Sequence, residues 1–405
     1  MKIAVVTPWF SENVSGGAEK FAGGIATCLK NAGLDVEILT TCGRDSFWDW
    51  GTDYYPEGVQ EIDNLSIRRF PLRKRNKKLY EELLGKLLSG QELTYLEEMQ
   101  LLNETVNSDK MYDFIQQYGS DYLFLFIPYL FGTTYWGSRI RPSQSYIIPC
   151  IHDEDMAYFH SMGHLFTRVQ GLLFNTIEER ELAEKIQPSL IGDYIISGGG
   201  VEVLYEPNEE RFRQKYNIKD DYFIYVGRQV TGKNVPQIID YYSRLVSEKP
   251  QNTKLVFIGN GEEQVIEAMK KCPNIINLGE TPDEDKFDAL QGAIALIQPS
   301  LMESFSIVIM ESWLCGTPVI VNEYCHVTKG HCVRSDGGLF YKDYSTFVET
   351  IEKYLFDIEF RREKAVKGKE YVEKYYTWEA VAHRITDFLK KNEYWSEDVI
   401  HENIN

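Results

Sequence analysis

The segment PSLMESFSIVIMESW, residues 299–313, sets Glu303 and Glu311 at the two ends of an apolar run, just after the strand-like AIALIQP. Eight residues of helix rise about 12 Å, so the two carboxylates cannot converge on one atom. A retaining glycosidase holds its carboxyl groups roughly 5–5.5 Å apart, which makes a two-carboxylate hydrolase a poor fit. Separated carboxylates flanking a helix start, with Ser304, Phe305 and Ser306 at its mouth, suit an elongated ligand with hydroxyls at both ends and phosphate between. A nucleoside diphosphate sugar has that shape. In this reading Glu303 holds sugar hydroxyls, the N–H groups of Ser304 to Ser306 the phosphate, and Glu311 the ribose.

A second stretch points to the same ligand. Gly227 to Asn234 reads G-x-x-x-x-G-K-N, one residue away from a nucleotide-binding P-loop. The P-loop needs Ser or Thr after its lysine to hold Mg²⁺, and Asn234 stands there instead. The favoured alternative is that Arg228 and Lys233 neutralise a diphosphate directly, through charge-assisted hydrogen bonds. LVFIGNGEEQ (255–264) is another strand, glycine turn and helix start; Gly259 and Gly261 there either let a base or ribose lie against the backbone or simply make the turn. At the first strand–helix junction, Gly16 and Gly17 precede a helix whose free N–H groups suit an anion.

These stretches need elements to carry them. Short apolar runs alternate with helical patterns along the whole chain: IAVVTP, VEILTT, YLFLFI, YIIPCI and GLLFNT in a first series, then YFIYVG, KLVFIG, IINLG, AIALIQP and TPVIVN. Continuous apolar strands separated by helices predict an α/β architecture with parallel sheets covered on both faces. The 405 residues exceed one ordinary core and suggest two domains. The Gly-rich, helix-poor IISGGGVEVLYEPN (195–208) is the linker, giving domains over 1–200 and 201–375 and a C-terminal helix and tail over 376–405 that returns to the first domain. Two doubly wound domains facing each other make a cleft at their strand ends. Residues 73–118 form a charged, largely helical insertion in the first domain, either a solvated hairpin or a cap on the acceptor side.

Composition narrows the class. Hydrophobic residues at 43% support folded cores, and a net charge of −18 argues against a broad nucleic-acid surface. No run of apolar residues is long enough for a spanning helix, and the N-terminus lacks the pattern of a signal peptide. Seven scattered cysteines suit a reducing cytoplasm. Cys325, His326, His331 and Cys332 sit as adjacent pairs, a poor spacing for zinc. IRRFPLRKRNKK carries seven basic residues from Arg68 to Lys78 interleaved with Phe70 and Leu72; it is either a solvated loop or a contact to an anionic membrane surface.

In order, SGGAE, GR-x4-K-N, GNGE, E-S-F-S-x4-E, GTPVI and a final Trp-containing helix resemble the family-four (group 1) retaining glycosyltransferases. The resemblance covers nearly the full length and implies the GT-B fold, two Rossmann-like domains across a cleft. It implies roles as well: Gly17 meeting the donor phosphate, Arg228 and Lys233 the diphosphate leaving group, Glu303 the transferred sugar and Glu311 the ribose, with Glu262 and Gly261 of the GNGE turn beside them. His152, at the end of the YIIPCI run and next to Asp153, matches the histidine that such enzymes place near the sugar. The family generally works without an essential metal, since a basic pair and a helix dipole can replace a cation at the pyrophosphate. The implied reaction moves a sugar from a nucleotide sugar to a glycan, lipid-linked or other glycoconjugate acceptor, in surface polysaccharide synthesis in a cytoplasmic or membrane-peripheral setting. The rivals are an epimerase or phosphorylase-like enzyme on the same fold and a non-catalytic sugar-nucleotide-binding subunit. After the PVI strand the chain departs from the family's Gly-rich loop with NEYCHVTKGHCVRSDGG, so the identity of the sugar does not carry over.

Overall fold

The computed structural model describes residues 1–11, 17–188, 192–250 and 252–393. Gly16 of the first junction and the expected C-terminal tail lie outside them. The chain divides into two units, Met1–Gly200 with Trp378–Asn405, and Val201–Thr377.

The first unit is built on eight strands: β1 (Lys2–Val6), β2 (Val36–Thr41), β3 (Gly58–Ile62), β4 (Leu65–Phe70), β5 (Tyr122–Phe126), β6 (Ser145–Ile147), β7 (Gly171–Phe174) and β8 (Asp193–Ile196). Their order is β3-β4-β2-β1-β5-β6-β7-β8, parallel except for the β3–β4 hairpin. Strands β1, β2 and β5 are apolar on both faces because helices cover both sides. Those helices are α1 (Gly17–Asn31), α2 (Lys77–Leu88), α3 (Tyr95–Asn103), α4 (Asp109–Tyr118), α5 (Gly132–Gly137), α6 (His160–Phe166) and α7 (Ile177–Ile186). The expected strand over 146–151 ends at Ile147, because the chain turns at Pro149, whose carbonyl accepts from Tyr129 N.

The insertion is a packed part of this unit, which excludes the solvated hairpin. Leu83 and Leu87 of α2, Leu101 and Leu102 of α3, and Met111 and Ile115 of α4 join Phe124 and Phe126 in one buried cluster. Burying each leucine contributes about 1.5–3 kcal/mol. Thr94 and Glu97 form a capping box that starts α3.

The basic stretch also differs from its sequence appearance. Arg68 and Arg69 lie on strand β4; Arg68 pairs with buried Glu37, and Arg69 is buried over the Tyr55 ring. Arg73 pairs with Asp109 and bonds Asn103, while Arg75 packs on Trp50 and faces Asp49. Only Lys74, Lys77 and Lys78 present exposed charge, and Lys77 lies 3.7 Å from Glu81. Acidic and aromatic partners from distant segments account for the rest.

The second unit comprises α8 (Glu209–Tyr216), β9 (Tyr222–Val226), α9 (Val235–Glu248), β10 (Lys254–Ile258), α10 (Glu263–Met269), β11 (Ile275–Asn277), α11 (Asp283–Gln291), β12 (Leu296–Gln298), α12 (Ile307–Leu314), β13 (Val319–Asn322), α13 (His326–Ser335), β14 (Gly338–Tyr341), α14 (Tyr344–Phe356) and α15 (Ile358–Tyr375). Its six parallel strands run β11-β10-β9-β12-β13-β14. The order reverses direction between β9 and β12, and ligands of open α/β sheets bind outside the strand ends at such a point. Trp313 of α12 is fully buried here and donates its ring N–H to Gly337 O.

The last helix, α16 (Trp378–Leu389), belongs to the first unit and packs on α1. Trp378 lies so close to Gly24 that a Cβ there would meet its ring at 2.0 Å. Glycine at position 24 is thus a packing requirement. No described helix is long and apolar enough to cross a membrane.

Candidate active site

The reversal point in the second unit carries the charged residues. After β9 the chain forms a single 3-10 turn, Thr231–Lys233, and Asn234 takes a left-handed conformation (φ 58°) before α9 begins. Asparagine tolerates that conformation, and its side chain bonds Gln237 and Pro299 O. Asn234 therefore ties the end of β9 to the end of β12, where a P-loop would carry a metal-binding hydroxyl.

That tie brings Lys233 to Glu303. Lys233 Nζ donates to Glu303 Oε1 at 2.7 Å, with side chains 27% and 12% exposed. Arg228 is exposed beside them. Both Glu303 and Arg228 act on the buried Tyr225 phenol, which burial pushes well up, Glu303 further up and Arg228 down. Cys325, buried at the start of α13, feels Glu303 and Lys233 in the same way. Three segments distant in sequence thus meet around one carboxylate. Tyr324, beside Cys325, stays 63% exposed.

The loops after β9 and β10 are bound to each other. Gln229 N donates to Asn260 O and Glu262 N to Gln229 O, while Gln229 Nε2 reaches Gly259 O and Asn277 Oδ1. Gly259 has φ +126°, and a Cβ on it would lie 2.1 Å from Gly227 O. Gly261 likewise abuts Gln229. Of the two readings of these glycines, the packing accounts for the turn: a side chain on either would meet the neighbouring loop. Glu262 is a brace as well. Thr231 donates its hydroxyl and N–H to Glu262 Oε2, which holds that carboxyl below the usual range.

The E-S-F-S segment is divided in its roles. Ser306 takes φ 68°, and helix α12 starts immediately after it. Phe305 is buried edge-on against His331 and Tyr376, so its side chain anchors the loop that carries the main-chain N–H groups of this segment. The Ser304 side chain is partly exposed and that of Ser306 buried. Glu311, one helix length on, pairs with Lys286 of α11 at 2.8 Å, with side chains 11% and 14% exposed. The structure keeps Glu303 and Glu311 apart, each with its own lysine. Lys286 went unnoticed in the sequence, hidden among the acidic residues of DEDKFDALQ.

In the first unit, Gly17 opens α1 and is exposed, with nothing within 4 Å of where a Cβ would stand. His152 is partly exposed in the loop after β6, its Nδ1 3.6 Å from Glu154 Oε1, which accepts from Tyr129. Asp153 is engaged by the Tyr158 hydroxyl.

Cys325, His331 and Cys332 are packed into the core of the second unit. His331 and Cys332 are buried, and His331 Nδ1 meets the Tyr371 hydroxyl while burial keeps the ring neutral. Among the described residues no three His, Cys, Asp or Glu side chains gather as metal ligands.

Residues 208–371 match the family model of Glycosyl transferases group 1. Over 133 residues the chain is 31% identical to O-antigen chain mannosyltransferase B of Escherichia coli, covering 31% of this chain and 34% of that protein. An uncharacterized glycosyltransferase of Methanocaldococcus jannaschii is 24% identical over 187 residues, 44% of this chain and 47% of its own length. The chain therefore spans between a third and a half of these curated relatives. Among solved structures, sucrose-phosphate synthase from Thermosynechococcus elongatus superposes with a TM-score of 0.70 at 16% identity, over 96% of this chain and 98% of that one. Anabaena HepE in complex with UDP gives 0.71 at 13%, over 96% and 100%. Residues 208–371 of the second unit thus resemble the group 1 glycosyltransferases, and the two Rossmann-like units of the chain have the GT-B fold.

Proposed function

We propose that the protein is a retaining glycosyltransferase that moves a sugar from a nucleoside diphosphate sugar to a glycan, lipid-linked or other glycoconjugate acceptor. The observation that carries this reading is the Lys233–Glu303 pair at the β9–β12 reversal, with Arg228 beside it. A diphosphate leaving group develops charge on its oxygens as the glycosidic bond breaks. Lys233 and Arg228 supply fixed positive charge for it, so no divalent cation is required. A sugar hydroxyl engages the Glu303 carboxylate, whose second oxygen is not used by Lys233. Glu311, steadied by Lys286, receives the ribose. His152 and Glu303 stabilise the oxocarbenium-like transition state, and no covalent nucleophile is assigned.

The relatives support the substrate class: one is described as an O-antigen chain mannosyltransferase, and one solved neighbour holds UDP. Surface polysaccharide synthesis in the cytoplasm, or at the inner face of its membrane, fits them. A membrane contact now rests on Lys74, Lys77 and Lys78 alone, and liposome flotation of the Lys→Ser triple variant tests it.

A thermal-shift panel of UDP, GDP, ADP and dTDP sugars in EDTA tests the whole reading. One donor is expected to raise the melting temperature by mass action. With that donor and an acceptor, the product should keep the anomeric configuration. A changed sugar nucleotide without acceptor would identify an epimerase, and a requirement for inorganic phosphate a phosphorylase. No shift with any sugar nucleotide would end the proposal.

A further inference from the structure

The carboxylate of Glu179 is the buried acidic group that the site described above does not use. It sits in the first turn of α7, is 1% exposed, and has no basic side chain among its described contacts. Its partners are backbone N–H groups. Oε1 accepts from Ile151 N at 2.8 Å and Oε2 from Asn175 N. The N–H groups of Cys150 and Thr176 also stabilise its charge. Ionising a carboxyl so deep costs several kcal/mol of desolvation, which its main-chain donors offset only in part. The helix does not need that carboxylate as its cap, since Thr176 caps α7 by accepting from Glu179 N.

What the carboxylate grips is a strained turn. Cys150 has φ +53°, a conformation rare for a residue with a side chain. Asn175 reaches Cys150 Sγ at 3.6 Å through its Nδ2, while its Oδ1 is buried without a hydrogen-bond partner. Strain and unsatisfied polar atoms gather where the surroundings force a backbone into one shape for use. Two residues after Cys150 the chain presents His152, partly exposed.

We propose that Glu179 is a positioning residue for His152: bridging the loops after β6 and β7, it fixes the left-handed turn at Cys150 and so the place of the imidazole. The role of His152 at the transferred sugar belongs to the proposed function, and the inference builds on it. A second anchor works one residue pair further along, where Tyr129 and His152 both approach Glu154. Glu179 sets the backbone and Glu154 the ring.

Ring ¹³C–¹H spectra of the full chain, labelled at histidine, test this without any substrate. His152→Ala identifies the His152 signal. In Glu179→Gln one oxygen becomes an NH₂ that faces an N–H donor, so the clamp fails on one side. The His152 signal is expected to shift or broaden while those of His160 and His164, on α6 of the same unit, stay in place. A general structural role would move all three. Should Glu179→Gln not fold, Glu179→Asp, which keeps the charge and shortens the reach, is read the same way. A folded variant with an unmoved His152 signal overturns the proposal. With the donor found by thermal shift, Glu179→Gln should lower kcat about 10²-fold at unchanged donor KM, and should add nothing further in a His152→Ala background. A moved signal with additive losses would leave the clamp standing and remove the catalytic role given to His152.

Discussion

Lys233 Nζ lies 2.7 Å from Glu303 Oε1, although the two residues are 70 positions apart in the chain. Each is the other's counter-charge, and the carboxylate is only 12% exposed. Lys233→Ala removes the proposed diphosphate contact and leaves a largely buried carboxylate without its lysine. Turnover should fall by at least about 10²-fold, with a stability loss of about 1–2 kcal/mol, between the values for surface and buried pairs. Glu303→Gln keeps the shape and should lose turnover with a smaller loss of stability. Steady-state kinetics with the donor, alongside thermal melts, check both. Near-normal rates in the two variants would refute the site.

The loop after β10 touches the loop after β9 through Gly259, whose φ of +126° and 2.1 Å approach to Gly227 O leave no place for a side chain. Gly259→Ala must displace one loop or the other, at a cost of about 1–3 kcal/mol. Because Thr231 and Glu262 link the same loops, the Lys233 turn should move with them. Donor affinity measured by calorimetry is therefore expected to weaken along with the melting temperature. Full affinity in a destabilised variant would separate the loop's packing from its role at the site.

Strands flanked by glycine turns and apolar on both faces were legible from their residues: β1, β2, β5, β9 and β10 lie where YLFLFI-like runs stand. The hairpin β3–β4 was not, because Arg68 and Arg69 gave its second strand the look of a basic loop. Its signal was the pair Asp63 and Asn64, both at positive φ, the mark of a tight two-residue turn. The site residues could be named from spacing, since GR-x4-K-N and the spaced glutamates are local patterns. Their partners could not: Lys286 meets Glu311, and Thr231 meets Glu262, only through the packing of separate helices and loops. Nor could the spacing tell that the Phe305 side chain turns into the core and leaves only its main chain to the loop.

Burial pushes the Glu179 carboxyl up to about 8, against the backbone N–H groups that favour its charge. In the unfolded chain it titrates near the ordinary 4.5. Between these values the folded protein holds a proton that the unfolded chain has lost, so stability falls as pH rises. The contribution is complete below pH 4.5 and gone above about 8. Urea melts of the parent and of Glu179→Gln, compared from pH 5 to 9, should show the parent losing stability relative to the variant. A difference that stays flat with pH would mean that Glu179 is ionised throughout the folded range.

Lys286 offers the sharpest division between binding and turnover. Its ammonium bonds Glu311 Oε1 at 2.8 Å, lies 3.5 Å from Asp283 and rests 4.2 Å from the Phe287 ring centre. One Glu311 oxygen is thereby fixed and the other left for the ribose hydroxyl of the proposed function. Lys286→Met keeps the apolar stem and removes the charge, so Glu311 loses its orientation. The ribose is bound equally in the ground state and the transition state, because the bond that breaks lies beyond the diphosphate. Donor KM should therefore rise about tenfold with kcat within a few-fold of the parent, the sign of lost uniform binding. Lys286→Arg, which restores the charge, should recover most of it. A fall in kcat at constant KM would instead place Glu311 at the reacting sugar and reverse the orientation of the donor along α12.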